Sequence, residues 1–175
     1  MTASKKTPAA SAGNAISMLT DDHKKVKKLF KDFDKLKGKG DAADKETLVE
    51  QICAELTIHA EIEEEIFYPA AREAINDDDM LNEAEVEHAS AKDLIEQLQE
   101  MDSSDPTYDA QVTVLGEYVN HHVEEEETEM FPKVKKAKID LGALGEELAT
   151  LKETKQTQLI GIAKPPGSRS PSARL

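Results

Sequence analysis

The sequence predicts an all-α protein: an antiparallel up-down four-helix bundle with an additional C-terminal helix and disordered tails. Residues that favour helices, chiefly Ala, Leu, Glu and Lys, dominate the middle of the chain. Apolar residues recur there every three or four positions, which is the spacing of one helix face. Short turn signals separate four such stretches, and helices joined by short turns pack side by side as an antiparallel bundle.

The first two predicted helices are joined by a glycine-containing turn. The first runs from about Ala15 to Lys37 and ends at Gly38-Lys39-Gly40. The second begins near Ala43, and Pro69 is expected to kink it or to start a new turn. Each has one mainly apolar face, formed by Ile16, Leu19, His23, Val26, Phe30 and Phe33 in the first helix and by Leu48, Ile52, Leu56, His59, Glu63 and Ile66 in the second.

Three further helices are predicted along the chain. The acidic cluster at 76–79 is expected to end the second helix and to cap the third. Asp105 and Pro106 are expected to be the N-cap and first residue of the fourth helix, which Pro132 interrupts. A weaker fifth helix runs from about Leu141 to Ile160. Each of these helices also has one mainly apolar face, called its stripe below. The stripe of the third helix is Leu81, Ala84, His88, Ala91, Ile95 and Leu98; that of the fourth is Val112, Leu115, Val119, His122, Glu126 and Met130; and that of the fifth is Leu141, Leu144, Leu148 and Leu151.

These elements predict one bundle domain at 14–138 and a separate C-terminal helix at 139–161. Residues 1–13 and 162–175 are rich in small and polar residues and in proline, without periodicity, and are predicted to be disordered tails. The formal net charge is −14, which argues against nucleic-acid partners because it repels phosphate. Cys53 is the one cysteine, no signal peptide or membrane span is apparent, and a cytoplasmic location is expected.

Ionisable residues occupy positions in the four stripes where Leu or Ile would be expected. Each stripe contains one histidine, His23, His59, His88 or His122. Two stripes also contain a glutamate four residues later, Glu63 after His59 and Glu126 after His122, and that spacing places both side chains on one helix face. Because burying an unpaired carboxylate is costly, a bound metal ion is the expected compensation.

Counting residues from each turn shows that these groups can lie at one level. The first turn is centred near residue 40 or 41, about 17 residues after His23 and about 18 before His59. The turn near residue 104 is 16 residues after His88 and 18 before His122. At ~1.5 Å per residue, the histidines of each pair are level to within ~3 Å.

A duplication relates the two halves of the chain. The segments from His59 to Pro69 and from His122 to Pro132 both have Glu four residues after His and Pro ten residues after it. Each half supplies two histidines and one carboxylate, and two such half-sites face to face form a binuclear centre. Imidazole and carboxylate ligands suit iron, manganese or zinc, and six protein ligands would leave coordination positions free for a small molecule.

These motifs resemble the hemerythrin-like (HHE cation-binding) family over about residues 15–138. The resemblance is carried by Asp22-His23, His59 with Glu63, Glu87-His88, and His122 with Glu126. It implies an all-helical fold with two non-haem iron ions, terminal histidine ligands, and glutamates that bridge the ions or bind one of them. It also implies binding of dioxygen, sensing of oxygen or iron, or reaction with peroxide or nitric oxide.

The chain departs from the pattern of the family's oxygen carriers. Carriers have a second histidine on the third helix, four residues from the first, where this chain has Ala84 and Lys92. They also have an aspartate five residues after the fourth-helix histidine, where this chain has Glu126 after four. The leading hypothesis is a di-iron protein that binds dioxygen or a related small ligand in oxygen or oxidative-stress sensing, or iron binding; the alternatives are a di-iron oxidoreductase acting on peroxide or nitric oxide, and a metal-free helical adaptor.

Several other residues receive a simpler interpretation. His121 is expected at the surface or beside a ligand, and Tyr68, Tyr108 and Tyr118 are expected to be packing residues and not redox partners. The remaining glutamates near the motifs are expected to be solvated, although one of them could orient a histidine. A ferritin-like di-iron bundle is rejected because it requires two Glu-x-x-His motifs, and only Glu85 with His88 fits.

Overall fold

The computed structural model describes residues 13–163, with side chains described for 13–159. The predicted tails lie outside the described residues, except for Gly13 and the end of the last helix. Within this range all regular secondary structure is helical, which confirms the predicted class. The helices are α1 (Ala15–Leu36), α2 (Ala42–Ile62), π1 (Glu63–Phe67), α3 (Tyr68–Ile75), α4 (Asp78–Glu100), α5 (Tyr108–Glu125), π2 (Glu126–Met130), α6 (Phe131–Lys136) and α7 (Leu141–Ala163).

Four rods form the bundle, and α7 lies against its first half. The rods are α1, the continuous α2–π1–α3, α4, and the continuous α5–π2–α6. Rod α1 packs against α2, α4 packs against α5, and α7 packs against α1, α2 and π1. Leu148 of α7 is fully buried in this contact. None of the described helices combines the length and apolar composition that a membrane span requires.

The turns between rods follow the local sequence signals, with one correction. Gly38 has φ +70° after α1, and Asn76 has φ 51° before Asp77 caps α4 by accepting from the Met80 amide. Asp105 does not cap α5, which begins at Tyr108. Its carboxylate instead accepts from the Thr107 amide at 2.8 Å in a local turn that includes Pro106. The predicted helix start was therefore wrong by two residues.

The two prolines do not break their rods, because a wide turn precedes each of them. In π1 the Tyr68 amide donates to the Glu63 carbonyl, and in π2 the Phe131 amide donates to the Glu126 carbonyl. A π turn inserts one residue into the helix, and the following proline, which has no N–H, then starts a new helical segment. Both π turns begin at one of the stripe glutamates, so the duplication extends to the backbone.

Two apolar clusters form the core, and the predicted metal layer lies between them. Along α1, Leu19 belongs to one cluster and Val26 to the other, with His23 between them. Along α5–π2–α6, Val119 and Met130 flank His122 in the same way. Because apolar packing holds both sides of this layer, its polar side chains are fixed within a rigid frame.

Cys53 is expected to be an inert thiol in the native protein. Its side chain is buried in the core, and burial raises the pKa of the thiol to about 11. At pH 8 it is protonated, so we expect it to react with a disulfide reagent about a hundredfold more slowly than in guanidinium chloride, since the thiolate is the reactive form. Equal rates in the folded and unfolded protein, followed by absorbance, would contradict this burial.

Candidate metal centre

The structure brings all six residues of the predicted site into one buried layer. Their exposed fractions lie between 0% for Glu63 and 7% for His59 and His122. Their donor atoms form two overlapping groups, each with all its atoms within 4.8 Å of one another. One group is His23, His59, Glu63 and Glu126, and the other is Glu63, His88 and His122.

The Nε2 atoms form two close pairs, and the two carboxylates span them. Nε2 of His23 lies 3.1 Å from Nε2 of His59, and the same distance separates Nε2 of His88 from Nε2 of His122. Glu63 Oε2 is 3.2 Å from Nε2 of His59 and 3.4 Å from Nε2 of His88. Glu63 thus connects α2 of the first half with α4 of the second.

Glu126 occupies the equivalent position on the opposite side of the layer. Its Oε2 is 3.2 Å from Nε2 of His23 and 3.6 Å from Nε2 of His122. Each glutamate therefore contacts one histidine from each half of the chain. Each carboxylate could therefore hold a cation together with histidines from both halves of the chain.

A carboxylate contacts the Nδ1 atom of each of the four site histidines. The pairs are His23 Nδ1 with Glu127 at 2.8 Å, His59 Nδ1 with Asp22 at 3.5 Å, His88 Nδ1 with Glu64 at 3.0 Å, and His122 Nδ1 with Glu87 at 2.6 Å. Because a carboxylate can only accept, Nδ1 carries the hydrogen in each pair. The lone pair of the neutral ring then lies on Nε2, which points into the layer.

These four orienting carboxylates follow the duplication, which sequence reasoning did not exploit. Asp22 and Glu87 each precede a histidine and hold the histidine of the next rod. Glu64 and Glu127 each follow a stripe glutamate and hold a histidine of the opposite half. The signal was hidden because Glu64 and Glu127 lie within runs of glutamates, most of which face solvent. Comparing the repeats position by position pairs Asp22 with Glu87 and Glu64 with Glu127, but it also pairs Glu61 with Glu124, which do not contact the site histidines.

The residues present fit a pair of cations. Both side-chain oxygens of Glu63 and Oε2 of Glu126 are buried without a hydrogen-bond donor. Such atoms are rare in proteins because each one forfeits its hydration without replacement. They lie among four Nε2 atoms that also need an electrophilic partner. Metal ions in this layer would satisfy every one of these atoms.

In the metal-free protein, protons partly replace the missing positive charge. Burial lowers the pKa of His88, but Glu63 and Glu64 outweigh it and raise the value to about 9. Burial raises the pKa of Glu126, but the charges of His122 and His23 outweigh it and lower the value to about 2. Metal binding must therefore displace protons, so the apparent metal affinity rises with pH.

The side chain of Tyr68 also reaches this layer. Its interpretation as a packing residue did not predict this position. Its buried hydroxyl donates to Glu126 Oε1 at 2.9 Å and lies 3.1 Å from Nε2 of His88 and 3.3 Å from Nε2 of His122. The equivalent residue of the second half, Phe131, instead stacks on the His23 ring, with centroids 5.8 Å apart. The duplicated site is thus asymmetric, with a phenol on one side only.

Two depressions of different character reach the layer. A cavity on the side of the α1–α2 and α4–α5 turns is lined mainly by carbon, including Val26, Leu56, Ile95, Val119 and Val123, and the four histidines form its end. A groove between α4 and the α5–π2 rod is instead lined by several glutamates, and it reaches His122 and Glu126.

Helix α7 contributes one residue to the support of the site. Lys152 forms a buried ion pair with Asp22, the carboxylate that contacts His59 Nδ1. We expect Lys152→Met to weaken metal binding about tenfold, because changing the partners of ligating residues typically costs ten- to a hundredfold in affinity. Lys152→Arg should retain most of the affinity. A competition titration with a chromophoric chelator measures the effect.

Lys155→Met provides the matched control for Lys152→Met. Lys155 lies one turn further along α7 and pairs with Glu65 at 2.6 Å and Glu61 at 3.2 Å, neither of which contacts a histidine of the site. Equal affinities in the two methionine variants would show that Lys152 only anchors α7.

Comparisons with known proteins agree with this geometry. The family model for the hemerythrin HHE cation-binding domain matches residues 14–134. A solved hemerythrin HHE cation-binding domain-containing protein from Mycobacterium kansasii is similar to 87% of the chain, with a TM-score of 0.73 and 25% identity, and the match covers 94% of that protein.

A curated relative shares the same region within a much longer protein. A DNA nickase from Nostoc sp. is 32% identical over 122 residues, which is 70% of this chain and 34% of the relative. The chain thus spans about a third of that relative's length, and the name DNA nickase describes the relative as a whole. The match of the family model to most of the chain, together with the histidine and glutamate layer, shows that this protein belongs to the hemerythrin HHE cation-binding domain family.

Proposed function

We propose that the protein binds two iron ions in the layer between the apolar clusters and uses them to bind dioxygen or a related small ligand. The observation that carries this proposal is the placement of Glu63 and Glu126, each between one histidine of the first half and one of the second. His23, His59, His88 and His122 would be the terminal ligands. Imidazole and carboxylate ligands without thiolate suit redox-active iron, which would supply the affinity for dioxygen.

The apolar cavity supports a small, neutral ligand. It ends at the four histidines, and its exposed wall is mainly carbon, although Asp22, Glu87 and Lys92 also belong to its lining. A diatomic molecule such as dioxygen or nitric oxide can enter such a cavity without losing strong hydration, whereas an ion cannot. The role would be oxygen or oxidative-stress sensing, or iron binding.

A second candidate function, reaction with peroxide, is favoured by Tyr68. A phenol that donates to Glu126 Oε1 and lies beside two Nε2 atoms can hold a proton next to a bound ligand. Cleavage of an O–O bond requires protons, and a positioned acid contributes about 10²–10⁴-fold to such reactions. A di-iron oxidoreductase acting on peroxide or nitric oxide would use this side of the site.

Iron loading with an optical titration tests both candidates. Metal-free protein is loaded anaerobically with Fe²⁺, and bound iron is counted after desalting; about two irons per chain are expected. Oxygen is then added: a stable coloured adduct supports ligand binding, and catalytic consumption of added peroxide supports the enzyme. A chain that retains no iron would contradict the proposal and leave the metal-free helical adaptor.

We also propose a cytoplasmic protein without a nucleic-acid partner, despite the similarity to a DNA nickase. A net charge of −14 disfavours contact with phosphates. Gel-shift assays with nicked and intact duplexes at low salt should show no complex, and a salt-sensitive shift would contradict this expectation.

A further inference from the structure

A groove rich in carboxylates leads from the surface to the centre. It lies between α4 and the α5–π2 rod, and its outer part is lined by Glu83, Glu87, Glu125 and Glu129, a set called the acidic groove below. Its inner end is formed by His122 and Glu126 of the candidate centre. Met80, Ala84 and Met130 also line the groove, and carboxylates occur both at its exposed end and at its buried end.

The negative charge of the acidic groove is unbalanced. Within residues 13–159, no lysine or arginine forms an ion pair with its four glutamates. Elsewhere around the centre, lysines neutralise the acids: Lys92 pairs with Glu64, and Lys152 pairs with Asp22. The like charges of the four carboxylates in the acidic groove therefore repel one another. A surface that keeps such repulsion attracts cations.

The duplication shows that these charges are specific to one half of the chain. The positions equivalent to Glu83, Glu125 and Glu129 in the first half are Met18, Ile62 and Ile66. Those three belong to the apolar cluster that also contains Leu144, Leu148 and Leu151 of α7. One face of the duplicated bundle is therefore closed by a helix, and its counterpart is lined with acids and open to solvent.

An unsatisfied ligand atom lies at the inner end. Glu126 lines the groove, is 1% exposed, and has an Oε2 atom without a hydrogen-bond donor. At the outer end, His121 Nε2 is 3.3 Å from Glu125 Oε1 and 3.8 Å from Glu87 Oε1, and these three side chains can together hold a metal ion.

We propose that the acidic groove is the route by which divalent metal ions reach the buried centre, with Glu87, His121 and Glu125 as a transient binding site. The proposal rests on the metal centre proposed above. It separates the path of the metal ion from that of the small ligand, because a mainly apolar cavity solvates a divalent cation less well than a groove rich in carboxylates. Carboxylates along the groove replace water ligands as the ion moves inwards.

Stopped-flow uptake of Co²⁺ by the metal-free full-length chain tests the route. Co²⁺ reports binding to the histidines through its visible absorption and does not oxidise in air. In E83Q/E125Q/E129Q we expect the uptake rate at low salt to fall about tenfold or more, because a focused charge raises on-rates by ten- to a thousandfold. Salt should narrow the difference from wild type through screening. The final Co²⁺ content should equal that of wild type.

E96Q/E100Q/E124Q is the matched control, with the same charge change on α4 and α5 at exposed glutamates outside the groove. It should load as fast as wild type. Equal rates for the two triple variants, with full loading, would overturn the route and leave the centre intact. Wild-type protein that takes up no Co²⁺ would overturn both the proposed route and the proposed metal centre. Glu83→Lys, at an exposed position, should also slow the uptake of Co²⁺. It replaces the triple variant in this test if the triple variant does not fold.

Discussion

Glu63→Met should make the metal-free protein more stable and the metal-loaded protein less stable than wild type. Both side-chain oxygens of Glu63 are buried without a hydrogen-bond donor, which costs free energy when no metal is present. The neighbouring histidines can release their protons, so the substitution leaves no unpaired charge. We expect a gain of about 1–3 kcal/mol in the free energy of unfolding without metal.

The loss with metal follows because Glu63 belongs to both groups of donor atoms. Wild type should gain about 2.7 kcal/mol for each site at a free metal concentration one hundred times Kd. The variant should forfeit most of that gain at both sites. Urea unfolding at pH 8, with chelator and with metal, measures the two effects.

Glu124→Met, at an exposed position in the second copy of the repeat, is the matched control and should change neither measurement. A variant at Glu63 that is destabilised without metal would contradict the cost assigned to the buried carboxylate. A variant that keeps the full metal-dependent gain would contradict a bridging role.

The fold class could be predicted from the sequence because it depends on residue spacings that can be read from a single sequence. Apolar residues spaced by three and four define each rod, and equal counts from the turns place His23 beside His59 and His88 beside His122. Both signals are local or nearly so. The depth argument needs only the constant rise of a helix and short turns.

Other features depend on three-dimensional details that these patterns do not contain. Pro69 and Pro132 indicate an irregularity, but a kink and a π turn both accommodate a proline, so periodicity does not distinguish them. The outcome matters for function, because the π turn at Glu63–Phe67 changes the direction of the side chains that follow it. Tyr68 thereby faces the site, although its position in the sequence suggests only packing.

Tyr68→Phe should slow the reaction of the reduced, iron-loaded protein with hydrogen peroxide by about tenfold to a hundredfold while leaving the iron content unchanged. The phenol donates to Glu126 Oε1 at 2.9 Å and is the one hydroxyl that contacts the described site. Removing it takes away the proton donor nearest to two Nε2 atoms, and positioned acids have effects of at least this size. Single-turnover stopped-flow measurements give the rate without requiring a physiological reductant.

Tyr108→Phe is the matched control, since Tyr108 is also buried but packs in the apolar cluster away from the histidines. It should leave the rate unchanged. Tyr68→Phe should also cost about 1–2 kcal/mol in the metal-free protein, because Glu126 Oε1 loses its donor. A loss of stability without a change in rate would make Tyr68 a structural support for Glu126, and the asymmetry of the two half-sites would then have no catalytic meaning. A loss of rate would explain why the duplication preserves the metal ligands on both sides but places a phenol on only one.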